Sequence, residues 1–309
     1  MSADQDRRRL LVLGAGLLLT GCTGTATNGS SRGASASRRA STAPSTPPAT
    51  PSPSSSSLGA RPSATATEAL LPRVHRWEPD PGDLAPAAKV TAVRAIERRG
   101  NNASSALQVI DAQYGGLLTG KASVLVVTRS WRARGGRVHE GGSTYDVRLT
   151  RAATGWRVTA VHPSRPGPAR RRLSTDERTV LRSPRIVLPP AARADVESGQ
   201  VHESVLAAML RMSQKYRIGV SVVRSGHPIQ VFGTNRLSDH PRGRAFDTFS
   251  IDGHLVVSAS TPRRLVTGFM EAAAAAGAYN VGGPYLLGSA PQYFSDNTHH
   301  DHVHAGFAT

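Results

Sequence analysis

The feature that most restricts the fold is a long run of small and polar residues near the start of the chain. Residues 23–67 are almost entirely Ser, Thr, Ala, Pro and Gly with a few arginines, as in STAPSTPPATPSPSSSS. This composition lacks the apolar side chains that could offset the entropy lost on folding. We therefore predict a disordered tether over residues 23–70, partly extended by its prolines, and about two domains in the remainder of the 309 residues.

The residues before the tether have the pattern of an export signal. Three arginines at positions 7–9 precede an apolar run, residues 10–19, which is too short to span a bilayer as a stable helix. The Leu-Thr-Gly-Cys sequence that ends at Cys22 resembles the lipobox of bacterial lipoproteins. This resemblance implies a signal peptide over residues 1–22, acylation (palmitate) at Cys22 and anchoring to the outer face of the cell membrane. The alternative is an ordinary signal peptide with a chance cysteine. Because Cys22 is the only cysteine, no disulfide contributes to the predicted fold.

The charge of the chain is strongly positive, with a net value of +17. A basic protein invites a nucleic-acid interpretation, but the export signal, the absence of a nucleic-acid motif and the scattered arginines argue against it. Anionic wall polymers or lipid headgroups are the predicted counter-charges. A solvated, arginine-rich surface is the simplest alternative.

Residues 75–163 are predicted to form a small α+β domain. PAAKVTAVRAIERRG, residues 86–100, has apolar residues at helical spacing and ends at a glycine. One or two helices are expected here, followed by an antiparallel meander: a strand in residues 122–136, then two strands joined by a short loop at residues 152–155. The pattern loosely resembles NTF2-like or cystatin-like domains. No catalytic cluster is predicted in this domain, whose role the sequence leaves unknown.

A Pro/Gly/Arg linker, residues 164–173, leads to a second α+β domain at residues 174–309. Helices are predicted over 203–216 and 262–278, and strands over 218–226, 253–260 and 302–307.

The second domain concentrates residues that bind metals. His240 and Asp247 flank a short segment that contains Gly243 and Ala245, and His304 lies in the terminal HHDHVHAGF. Neutral imidazoles and a carboxylate, with one open position, are the ligands of catalytic zinc. We therefore predict one Zn²⁺ held by His240, Asp247 and His304.

The spacing Ser-x-His-x-x-Gly-x-Ala-x-Asp, residues 238–247, resembles the M15 family of zinc D-Ala-D-Ala carboxypeptidases and dipeptidases. Asp301, three residues before His304, matches the acid that precedes the last histidine ligand in that family. The resemblance covers about residues 174–309. It implies the α+β fold that these peptidases share with the hedgehog signalling domain, a zinc ion, and peptidoglycan stem peptides as substrates.

Two positions leave the predicted chemistry open. The family's arginine that stabilises the oxyanion is replaced by Pro228. The arginines that could substitute for it are Arg224, Arg236, Arg242 and Arg244. His227 is a candidate substrate contact. The family match makes Asp301 the general base and requires a bend at that residue. In a regular strand His302 would face the metal instead, as in lysostaphin-like M23 endopeptidases, although their first motif has a different spacing. A zinc module without activity, binding wall fragments or a protein partner, is the rival interpretation.

Overall fold

A computed structural model describes residues 71–308, all of which belong to one compact unit. Five α-helices and two β-sheets in this part of the chain confirm the α+β prediction. The predicted signal peptide, Cys22 and the tether lie outside the described residues. None of the helices between residues 71 and 308 has the length and apolarity that crossing a membrane requires.

The first part of the described chain is a helix on an antiparallel five-stranded sheet with the order β1-β2-β4-β5, with β3 paired to β2. Proline at the first position starts the helix, and its apolar stripe packs on the sheet. The elements are α1 (Pro86–Gly100), β1 (Ser105–Leu118), β2 (Lys121–Arg134), β3 (Arg137–Gly141), β4 (Thr144–Ala152) and β5 (Gly155–Pro163).

Strand β1 was not predicted. It runs for 14 residues along β2, but bulges between Val109 and Asp111 and between Tyr114 and Gly116 interrupt its register. Each bulge inserts an extra residue and shifts the alternation of side chains from one face to the other. The regular two-residue period that identifies a strand in a sequence is therefore lost.

The second part contains four helices and a mixed seven-stranded sheet with the order β11-β10-β12-β8-β7-β6, with β9 paired to β8. Its pairings are antiparallel except for β10–β11 and β6–β7. The elements are α2 (Thr175–Arg182), β6 (Ile186–Val187), α3 (Pro190–Glu197), α4 (Glu203–Ser213), β7 (Ile218–Val222), a 3-10 turn (His240–Arg242), β8 (Ala245–Ile251), β9 (His254–Leu255), α5 (Arg263–Ala275), β10 (Asn280–Gly282), β11 (Tyr293–Phe294) and β12 (Val303–Gly306).

Several predicted elements are longer than the observed ones. The strand predicted over 253–260 is only His254–Leu255, because residues 256–260 leave the sheet through turns. The strand predicted over 218–226 ends at Val222, before Gly226 with its left-handed φ of 86°. Helix α4 ends at Ser213 rather than at 216, and α5 ends at Ala275.

Each sheet has its own hydrophobic core, and the two sheets meet directly. Leu125 and Val127 of β2 pack against Val222 of β7, and all three side chains are buried. Both sheets lie in one compact unit. The division into domains at 75–163 and 174–309 therefore remains a prediction from the sequence.

Candidate metal centre

His240 is placed by a tight turn that leads into β8. It begins the 3-10 turn, which ends at Gly243 with a left-handed φ of 70°. A Cβ on Gly243 would lie 2.0 Å from the backbone oxygen of Gln200, so only glycine fits this position. Ala245, fully buried, then starts β8. The glycine and alanine predicted as spacers therefore have identifiable roles in bringing the chain from His240 to Asp247.

Strand pairing brings the other two predicted ligands together. Asp247 on β8 is the direct cross-strand partner of His304 on β12. Because side chains alternate along a strand, Phe246 enters the hydrophobic core while Asp247 points from the opposite face, beside His304.

The three predicted ligands converge on one point. His240 Nε2 lies 3.1 Å from Asp247 Oδ1 and 3.1 Å from His304 Nδ1, and His304 Nδ1 lies 3.0 Å from Asp247 Oδ1. A tetrahedral zinc ion with bonds of about 2.0–2.2 Å separates its ligand atoms by about 3.3–3.6 Å. The triangle of atoms in this structure therefore has nearly the size that one zinc ion requires.

The hydrogen bonds around the triangle also fit a cation. His240 Nδ1 lies 2.8 Å from the backbone oxygen of Val223, which makes Nδ1 the protonated nitrogen and leaves a lone pair on Nε2. Gln113 Nε2 donates to Asp247 Oδ2 (2.6 Å), so that Oδ1 is the oxygen that faces the histidines. Electron-rich atoms that face one another in a buried site need a cation or protons between them.

The protonation states of the ligands suit metal binding. Burial raises the pKa of Asp247, but the neighbouring His240 and His302 outweigh it, and the pKa lies well below its usual value. Burial lowers the pKa of His304 to about 4, and it also holds the pKa of His227 well below the ordinary value. An ionised carboxylate and a neutral imidazole are the forms that bind metals.

Asp301 and His302 form a bonded pair beside the triangle. His302 Nδ1 donates to Asp301 Oδ1 (2.7 Å), and His302 Nε2 lies 3.8 Å from Asp247 Oδ1. Strand β12 begins only at Val303, so a bend is present at Asp301, as the family match requires. Even so, Asp301 contacts His302 rather than the ligand triangle.

Asp301 is further held by the first part of the described chain. Its Oδ2 accepts from the backbone N–H of Tyr114 (3.0 Å) and lies 2.7 Å from Lys89 Nζ. Burial raises the pKa of Asp301, but the Lys89 ammonium and His302 lower it below its usual value. Burial lowers the pKa of His302, but the carboxylates of Asp247 and Asp301 outweigh burial and raise this pKa above its usual value.

Lys89 also accounts for a second group of candidate ligands. Asp83, His300 and Asp301 lie close enough together to hold an ion. The Lys89 ammonium, whose side chain is 2% exposed, contacts both Asp83 and Asp301. A fixed positive charge therefore already pairs with both carboxylates, which favours an ion-pair network over a metal site in this group.

A cleft of about 660 Å³ opens onto the triangle. Only some of the predicted substrate residues line it. His227, Arg236, His302 and His304 line it, as does the segment from Tyr114 to Leu118 of β1. Arg224 instead contacts Asp195 (3.8 Å) and the backbone oxygen of Pro166 (3.3 Å).

The other two arginines do not line the cleft, although Asp239, the partner of Arg242, does. Arg244 donates to the backbone oxygen of Ala308 (2.7 Å). Arg242 lies 3.6 Å from Asp239. Arg236 is therefore the one predicted arginine that lines the cleft in the described part of the chain.

His227 lies directly beside the triangle. Its ring stacks on that of His240 with centroids 4.0 Å apart, and its ligand atoms lie within 4.8 Å of those of His240 and Asp247. Its Nδ1 is 3.0 Å from the backbone oxygen of Pro228. The imidazole therefore borders both the ligands and the cleft.

Lys89 and Gln113 belong to this site but were not predicted. Lys89 carried a signal, because it lies at helical spacing with buried Ala92, Val93 and Ile96, and a lysine on an apolar helix face needs a buried partner. Gln113 carried none, because the bulges of β1 hide both the strand and the face on which its side chains lie.

Comparison of the chain with protein-family models, curated proteins and solved structures finds no match.

Proposed function

We propose that this protein is a zinc-dependent peptidase that hydrolyses peptide bonds in peptidoglycan stem peptides. The observation that carries the proposal is the convergence of His240 Nε2, Asp247 Oδ1 and His304 Nδ1 to within 3.0–3.1 Å of one another beside an open cleft. These are the positions that the resemblance to M15 peptidases selected. The substrate class comes from that resemblance, and it matches the predicted export of the protein.

A zinc ion bound by these residues would polarise the scissile carbonyl and lower the pKa of the attacking water. The side chains nearby would handle the protons. His302 Nε2 is directed toward the ligand triangle, 3.8 Å from Asp247 Oδ1, and lines the cleft. From there it would accept a proton from the water and return it to the leaving amine.

We assign the base role to His302 rather than to Asp301. Both oxygens of Asp301 already accept hydrogen bonds or contact Lys89, and the lowered pKa makes this carboxylate a weak base. Asp301 would instead orient the His302 ring through the bond to Nδ1 and stabilise its protonated form, the part that a carboxylate takes beside a catalytic histidine.

Arg236 and His227 are the proposed substrate contacts. Arg236 is exposed at the cleft and could pair with a peptide carboxylate or the developing oxyanion. His227, beside His240, could contact the carbonyl of the scissile bond. Without a buried arginine at position 228, this part of the site depends on a more exposed donor.

The same proposal includes the family-level fold and the location. The second part of the chain would be hedgehog/DD-peptidase-like and the first NTF2- or cystatin-like. Cys22 would anchor the protein to the outer face of the membrane, with the tether reaching into the wall and the positive charge favouring anionic wall polymers.

A zinc module without activity is the second candidate. It is favoured by one observation: Pro228 occupies the expected arginine position, and Arg224 and Arg244 are engaged elsewhere. Such a module would bind wall peptides or a protein partner in the same cleft.

Incubation of the zinc-loaded protein with defined muropeptides, followed by mass spectrometry, separates these functions. The proposal predicts peptide cleavage that disappears in Asp247→Ala and on chelation. Stoichiometric zinc with no cleavage would support the inactive module. A folded protein that binds no zinc would exclude both.

A further inference from the structure

The part of the chain outside the M15 resemblance reaches into the proposed metal centre. Strand β1 passes along it, and Gln113, 1% exposed, lies against Asp247. These two residues are 134 positions apart in the chain. A polar side chain at this depth is stable only if its donor and acceptor atoms are both satisfied.

The amide of Gln113 has one orientation that satisfies it. The hydroxyl of Ser221 on β7 donates to Gln113 Oε1, which leaves Nε2 as the atom directed at Asp247. Gln113 Nε2 then donates to Asp247 Oδ2 (2.6 Å). Because the amide nitrogen is only a donor, Oδ2 of Asp247 acts as the acceptor in this arrangement.

The bond divides the two oxygens of Asp247 between two roles. Oδ2 is held by Gln113, while Oδ1 lies 3.1 Å from His240 Nε2 and 3.0 Å from His304 Nδ1. Rotation of the carboxylate would break the bond to Gln113. One oxygen is thereby fixed at the position where a metal ligand is required.

The position of β1 is itself fixed beside the site. The next residue, Tyr114, donates its backbone N–H to Asp301 (3.0 Å). Gly116 packs so closely under Phe232 that a Cβ there would lie 2.1 Å from the ring. The strand therefore cannot shift without disturbing the cleft.

We infer that Gln113 is a positioning residue for the metal ligand Asp247, so that the first sheet completes a metal centre whose ligands all lie in the second. This inference rests on the proposed function, since it requires that the triangle holds a metal. Hydrogen-bond partners of metal ligands orient them, and their loss typically lowers metal affinity or activity about 10–100-fold.

The test compares Gln113→Leu with Gln108→Leu in the otherwise unchanged protein. Gln108 lies on the same strand, but its amide bonds to the backbone of His75 and not to Asp247. Zinc affinity is measured by competition with a chelator. The visible spectrum of the Co²⁺-loaded protein reports ligand geometry, and unfolding of the metal-free protein reports stability.

We expect Gln113→Leu to weaken zinc binding by about 10–100-fold and to alter the Co²⁺ spectrum, whereas Gln108→Leu changes neither. Equal zinc affinity and identical spectra in folded Gln113→Leu and wild type would overturn the inference. If wild type itself binds no zinc, the proposed function fails first, so the two failures are distinguishable.

Ser221→Ala tests the positioning role of Gln113 if Gln113→Leu does not fold. This smaller change removes the hydroxyl that donates to Gln113 Oε1 and that also lies 3.3 Å from the backbone oxygen of Asp247. We expect zinc affinity to fall by about two- to tenfold, the value of one hydrogen bond. Unchanged zinc affinity and an unchanged Co²⁺ spectrum would overturn the inference.

Discussion

The two sheets bring different chemistry to the same place. The seven-stranded sheet and the turn that precedes β8 carry the three converging atoms of His240, Asp247 and His304. The five-stranded sheet and its helix carry the groups that hold the carboxylates around them, namely Lys89, Gln113 and the backbone of Tyr114.

This division shows that the three proposed ligands alone do not define the candidate centre. Asp247 and Asp301 are both buried, and a buried carboxylate must be paired or hydrogen-bonded to remain charged. Here the donors from the first part of the chain lie more than 130 residues away in the sequence, 134 positions in the case of Gln113 and Asp247. The first part of the chain is thus a structural component of the centre.

Removal of a ligand from the second sheet should have the largest effect. In Asp247→Ala the only charged ligand is lost, and since loss of a ligand's partner costs about 10–100-fold in metal affinity, loss of the ligand itself should cost about 10³-fold or more. Metal analysis after dialysis should find stoichiometric zinc in wild type and none in the variant. Zinc retained at the same affinity would place the metal elsewhere.

Changes at the paired Asp301 and His302 test which of the two residues is the general base. We expect His302→Ala to keep zinc but to lower kcat on muropeptides by about 10²–10⁴-fold, the usual contribution of a general base. A His302→Ala enzyme that retains kcat while Asp301→Asn abolishes it would return the base role to Asp301. Single-turnover cleavage and metal content, measured on the same samples, separate the two results.

Loss of Lys89 tests how much the helix on the first sheet contributes to stability. Lys89→Met leaves Asp83 and Asp301 buried without their ammonium partner, and breaking a buried ion pair in this way costs about 3–5 kcal/mol. Urea unfolding measures the change. The control is Arg98→Met, an exposed cation on the same helix, which should shift the free energy of unfolding by less than about 0.5 kcal/mol. Equal stability of the two variants would contradict the buried network.

The arginines predicted as substrate contacts should give the smallest effect. Arg236→Ala is expected to lower kcat/KM by about tenfold, less than the 10²–10³ lost with a preorganised oxyanion donor, because this side chain is exposed. Arg224→Ala and Arg244→Ala should leave kcat/KM within about twofold, since their guanidinium groups are bonded elsewhere. The reverse order would show that one of them reaches the substrate after all.

The sequence predicted the convergence of the candidate ligands, two of which lie close together in a motif. It did not predict the partners that come from a distant strand. His240 and Asp247 are separated by a short segment with a recognisable glycine, and His304 lies in a histidine-rich terminus, so their convergence could be expected. Helix α1 and the β4–β5 hairpin followed regular periods and were predicted correctly.

The rest could not be obtained in the same way. Gln113 lies on a strand whose period is broken by two bulges, and its partner is fixed only by how the two sheets pack. The choice between Asp301 and His302 depended on where β12 begins and on Lys89, neither of which a local pattern specifies.

Anomalous diffraction at the zinc edge, from crystals of the zinc-loaded protein, tests the proposed metal centre most directly. We expect one peak per chain, within about 2.0–2.2 Å of His240 Nε2, Asp247 Oδ1 and His304 Nδ1. No peak at these atoms in a well-ordered crystal, or a peak at Asp83 and Asp301 instead, would contradict it.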